Sequence, residues 1–172
     1  MKHNLIFIQL MLLSKTFMFS HDSNVATAKL YQENDNWKLT FSLGSYGLMK
    51  GLHQVYRNEE VSLLEMDDFN QKLDAYIQKT FCLTINMHHK IVLEHQSSEV
   101  GSHQADIHYV LKGIPPRASH WELNFSTFEQ NNAQTNVFKL DIGENSRSFI
   151  LRKDLDYHVT FLVSGKHIRE IN

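Results

Sequence analysis

Apolar and polar positions alternate along most of the chain, and alternation is the mark of half-buried strands. In NWKLTFSLG, Trp37, Leu39, Phe41 and Leu43 fall on one side, with Lys38, Thr40 and Ser42 on the other. NVATAKLYQ reads as its partner strand and ENDN as the turn between them, so the fold opens on a hairpin. Further strands follow at FCLTINM, KIVLEHQ, ADIHYVLKGI, HWELNFSTF, NVFKLDI, RSFILRK and YHVTFLV. HH, SSEVGSHQ, PPRAS, EQNNAQT, GENS and DLD separate them. Pro115 and Pro116 have no N–H to give a sheet ladder and therefore mark a loop.

The period changes in the middle. In DDFNQKLDAYIQKTF, Phe69, Leu73, Tyr76, Ile77 and Phe81 recur at helical spacing. Asp68 with Gln71 three residues later resembles a capping box, which closes free N–H groups at a helix start. A helix is expected over 67–81. SYGLMKGLHQVY, 45–56, stays open: Tyr46, Met49 and Leu52 suit a helix, but Gly47 and Gly51 each weaken one by about 1 kcal/mol relative to Ala. Runs of strands with one helical insertion predict a mainly β (α+β) fold. Its expected form is two packed antiparallel sheets in an immunoglobulin-like sandwich.

The first twenty residues stand apart. Lys2 and His3 precede an apolar run, Leu5 to Leu13, broken only by Gln9, and Ser20 supplies a small residue at the end. The run is shorter than the ~20 residues of a membrane span, whereas a secretory leader needs no more than this. Residues 1–20 are therefore expected to be a signal peptide and 21–172 a single β-rich domain, exported to the periplasm or outside the cell. No stable transmembrane segment is expected after leader removal. The leader carries Lys2 and Lys15 and no acid, so its loss moves the formal charge from −2 to −4. That balance argues against nucleic acid, which rewards clustered basic residues. The single cysteine, Cys82, excludes an internal disulfide and reads as a small buried hydrophobe. Asn124-Phe125-Ser126 matches a glycosylation acceptor, of consequence only in a host that glycosylates there.

Chemistry is harder to find. The chain holds no GxSxG, HExxH, GxxxxGK or CxxC pattern. No catalytic residue is expected, although an enzyme with an unrecognised site stays an alternative. Histidine is abundant, at eleven. His88 and His89 sit in a predicted turn, His95 shares a face with Ile91 and Leu93, and His120 shares one with Glu122 and Asn124. His103 precedes a strand, and His108 lies within it near Asp106. His21 differs, because processing would leave it with a free amine beside its imidazole. Two such nitrogens suit copper, nickel or zinc. Asp22 is a candidate oxygen donor, and His103 and His108 are candidate further ligands.

The leader, the early His21, the opening hairpin, DFNQKLDAYIQKTFCLTIN and the closing NVFKLDIGENSRSFILRKDLDYHVTF together resemble the DUF6702-type small exported bacterial proteins of unknown function. Gly143 and its flanking strands match that family's late glycine-centred hairpin. The resemblance spans most of the chain after the leader and implies an envelope location and no activity. SHDSNVATAKLYQENDNWKL is also similar to the exported segment opening some hydrogenase and urease accessory membrane proteins, which hints at metal handling. The chain departs from those proteins in lacking transmembrane helices. The expected function is a non-enzymatic binding or accessory domain of the bacterial envelope, acting on an envelope protein or a small ligand. The alternative is a metal-binding accessory protein using His21.

Overall fold

Hairpin turns decide where the strands stop. Asn34 and Asp35 both take positive φ, 49° and 62°, the conformation a two-residue turn needs if its twist is to match the flanking strands. In the computed structural model, which describes residues 24–56 and 66–171, this turn joins β1 (Val25–Glu33) to β2 (Asn36–Gly44). Gly143, at φ 60°, does the same between β8 (Thr135–Ile142) and β9 (Asn145–Leu151). Gly165, at φ 59°, lies between β10 (His158–Ser164) and β11 (His167–Ile171). The remaining described strands are β3 (Phe81–Ile85), β4 (His89–Lys90), β5 (Val92–Val100), β6 (Gln104–Lys112) and β7 (His120–Phe125).

These strands form two packed sheets, as the alternation predicts. One runs β5-β6-β2-β1-β8-β9 and the other β11-β10-β7-β3-β4. Every pairing is antiparallel except β1 with β8, which run parallel from Val25↔Thr135 to Tyr31↔Asp141. The predicted set lacks β11, and its KIVLEHQ strand extends in the structure to Val100. Asn86 and Met87, at φ 50° and 66°, turn β3 into β4, so His88 is in the turn and His89 is in a strand.

Inward positions fill the space between the sheets. Leu30, Leu39, Phe41, Leu43, Ile107 and Phe138 come from one sheet and Leu83, Trp121, Leu123, Phe125 and Phe161 from the other. Each such side chain contributes about 1.5–3 kcal/mol by leaving water. Phe41 meets Phe81, Tyr109 and Phe125 edge-on, with ring centroids 5.1–5.7 Å apart. Cys82 departs from its core assignment. It is half-buried on the outer face opposite Asn124, because the parity of β3 gives the interior to Phe81, Leu83 and Ile85.

Residues 45–56 do form a helix, α1 (Ser45–Val55). Its buried face is Leu48, Gly51 and Leu52, while Tyr46 is 71% exposed. Glycine is what turns this face inward. A Cβ on Gly51 would stand 2.2 Å from Cδ1 of Phe128, so only a bare backbone fits under that ring. The insertion predicted at 67–81 is α2 (Met66–Thr80), followed directly by β3. Phe69, Leu73, Tyr76 and Ile77 are buried as their spacing predicts. Asp68 is not at the helix start. It lies within the first turn and accepts an ion pair from Lys72 one turn on, at 2.9 Å. Tyr109 of β6 donates to Asp74 at 2.8 Å and ties α2 to the six-stranded sheet. No described helix is long and apolar enough to cross a membrane. The expected leader, residues 1–20, and His21 and Asp22 lie outside the described residues.

Candidate functional site

Where turns gather, a sandwich leaves an open end. Here the β1–β2, β8–β9 and β10–β11 turns collect at one end, and the Ile114–Ser119 segment crosses beside them. Between them lies a concave groove of about 490 Å³. Trp37, Trp121, Ile114, Pro115, Ile142 and Val163 give it apolar walls, and Asp35 and Arg117 stand exposed near its rim. The two indoles meet edge-on, centroids 5.7 Å apart. Trp121 is 1% exposed and its indole N–H donates to Ala118 O at 3.1 Å. Trp37 is half-buried, and its indole N–H has no acceptor among the described residues.

Asn86 holds the proline-rich wall in place. Its Oδ1 accepts from Ser119 N at 3.1 Å, Ser119 Oγ at 3.3 Å and His120 N at 3.2 Å. Its Nδ2 donates to Arg117 O at 2.8 Å. The backbone adds Asn86 N to His120 O at 2.7 Å and Val163 N to Ser119 O at 2.8 Å. A left-handed φ suits asparagine, so the residue that makes the β3–β4 turn also anchors the wall. The groove thus sets apolar walls beside polar groups in roughly equal share.

The histidines named from sequence lie elsewhere. His103 is exposed in the β5–β6 turn, and its carbonyl accepts from Ser45 N at 3.0 Å. His108 is half-buried on the outer face of β6, with Nδ1 3.1 Å from Thr40 Oγ1. Five residues of extended chain, roughly 15 Å, separate the two. Among the described residues, no group of three or more His, Cys, Asp or Glu is placed to hold a metal ion. His95 is exposed, bonded to Ser98 Oγ at 2.9 Å and edge-on to Tyr109.

The groove is not among the sites named from sequence, where Pro115 and Pro116 mark a loop and Trp37 falls on the apolar side of a strand. Its parts come from Gln32 to Gly165, so no local pattern carries it. The available signal was that both tryptophans of the chain lie next to predicted turns, Trp37 after ENDN and Trp121 after PPRAS. Neither the known family models nor the curated proteins contain a match to this chain.

Proposed function

We propose that this chain is an exported, non-enzymatic binding domain of the bacterial envelope whose ligand seats in the Trp37–Trp121 groove. One observation carries the reading: a concave groove of about 490 Å³ in which two tryptophans, an unpaired indole donor and a hydrogen-bonded wall meet. Export rests on the charged start, the short apolar run and Ser20, together with the resemblance to small exported envelope proteins. The ligand reading predicts an apolar group against Trp37, with Asp35 and Arg117 near the rim to select its polar substituents.

Both tryptophans of the chain line the groove, so intrinsic emission reports on it directly. The test is titration with 1-anilinonaphthalene-8-sulfonate, a dye for accessible apolar surface. Saturable one-to-one binding with energy transfer from tryptophan, abolished by Ile114→Asp, is the expected result. Non-saturating binding, or binding indifferent to Ile114→Asp in a variant of unchanged circular dichroism, would sink the proposal.

A second reading, metal binding through a mature His21, is favoured by one feature. Asn24 continues β1 level with Ser45, and Ser45 N donates to His103 O, so Asn24 and His103 share one end of the sheet. They stand two strand spacings apart, about 10 Å. Native mass spectrometry of protein exported with its own leader tests it. A mass starting at His21 with copper, nickel or zinc that His21→Ala loses supports metal binding, and a metal-free chain after metal is supplied refutes it.

A further inference from the structure

The outer face of the six-stranded sheet carries a second concavity, independent of the groove. β5 and β6 stay in register up to His95↔Tyr109 and resume at Ser97↔His108, which leaves Gln96 as a bulge. Bulges bend an edge strand and re-aim its side chains. Beside this one lies a depression of about 250 Å³. Tyr31, Lys38, Thr40, Gln96, Ser97 and His108 line it. They come from four neighbouring strands, β1, β2, β5 and β6.

The hydrogen-bonding state of these groups defines what they can receive. Lys38, the one ammonium in the lining, is paired with Glu33. Thr40 holds His108 through Nδ1, which fixes the imidazole and leaves Nε2 facing no partner among the described residues. The Ser97 and Tyr31 hydroxyls likewise have no partner there. A serine or tyrosine hydroxyl can both donate and accept, and a neutral imidazole nitrogen does one or the other according to tautomer. No carboxylate lines the depression. Lys29 Nζ sits 5.5 Å from the Tyr31 ring centroid, so recognition there falls to the phenol hydroxyl rather than to an open ring face.

We infer that this depression is a binding site for a neutral polyhydroxylated ligand of about the size of one sugar ring. Ligand hydroxyls match the lining because they too donate and accept. The lining's one cation, Lys38, is shared with the Glu33 carboxylate, so the hydroxyl and imidazole groups outnumber what the depression offers an oxyanion. The volume lies just under the ~300 Å³ at which drug-sized pockets begin, which suits a single ring.

The test is a titration of ¹⁵N-labelled protein with D-glucose, D-galactose, N-acetylglucosamine and, separately, sodium sulfate, read by amide chemical shifts. The expected result is saturable shifts at Thr40, Gln96, Ser97 and His108 with at least one sugar, at a Kd of about 1 mM. Thr40→Val and His108→Ala should each weaken binding by roughly tenfold, the usual cost of one lost hydrogen bond. Ser97→Ala, at an exposed edge position, gives the same reading should the other variants fold poorly. Saturable shifts with sulfate and none with sugars would overturn the polyhydroxyl assignment. No saturable shift with any probe, or shifts confined to the Trp37–Trp121 groove, would overturn the site itself.

Discussion

Gly51 and Phe128 show how one missing atom sets the position of a helix. Phe128 takes a left-handed φ of 62°, unusual for so large a residue. Its N–H donates to Tyr76 Oη at 2.7 Å, and its ring stacks on Tyr76 with centroids 5.5 Å apart. The ring is therefore fixed, and α1 must approach it with a residue that has no Cβ. Gly51→Ala should favour an isolated helix by about 1 kcal/mol, yet the clash costs about 1–3 kcal/mol. The expected outcome is a lower urea midpoint, and an equal or higher midpoint would show that Phe128 gives way. Asn136 is a second such residue. It is fully buried, and its Nδ2 serves Phe125 O at 2.7 Å and Thr127 O at 3.0 Å. Asn136→Leu leaves both carbonyls without that donor and should cost about 1–3 kcal/mol, read in the same unfolding curves.

Among the elements, those with a strict two-residue or helical period were visible in the sequence. β2 and α2 are the clear cases, since Leu39, Phe41 and Leu43, and Phe69, Leu73 and Ile77, all point inward. β11 was not visible, because it is an edge strand whose residues are nearly all exposed and carry little pattern. The second half of β5 was hidden by its bulge, which breaks the alternation, and by the polar residues of an exposed edge. Residues 45–56 stayed open in the sequence because a glycine, Gly51, occupies the inward face of α1, and hydrophobic periodicity does not register an absent side chain. The groove was invisible for a different reason, since its wall depends on an amide from the β3–β4 turn. Asn86→Ala removes four contacts to the 117–120 segment and should weaken the dye binding described above while leaving the strand signal in circular dichroism unchanged. Unaltered dye affinity would mean that the β6–β7 segment holds its shape without that turn.

At the scale of the whole molecule, buried phenols link the fold to alkaline pH. Burial, reinforced by the Asp74 carboxylate, pushes the Tyr109 phenol far above its ordinary value, and burial also raises Tyr76. A raised folded pKa means that the folded state keeps protons that the unfolded chain releases. Stability from these two groups is thus full below about pH 10, the unfolded value, and is lost as pH climbs above it. Urea unfolding should weaken steeply above that pH, and less steeply in Tyr109→Phe. Equal slopes in the two proteins would show that Tyr109 is not the linked group. The parallel pairing of β1 with β8 has a consequence in time. Val25 meets Thr135, a residue synthesised roughly a hundred and ten positions later. At ordinary synthesis rates that is a wait on the order of 10 s. Until then β1 has its hairpin neighbour alone, and the six-stranded sheet lacks its join. A chain so arranged stays incompletely folded while its first segment is already out of the ribosome, and its edge at β1 stands unpaired for that interval.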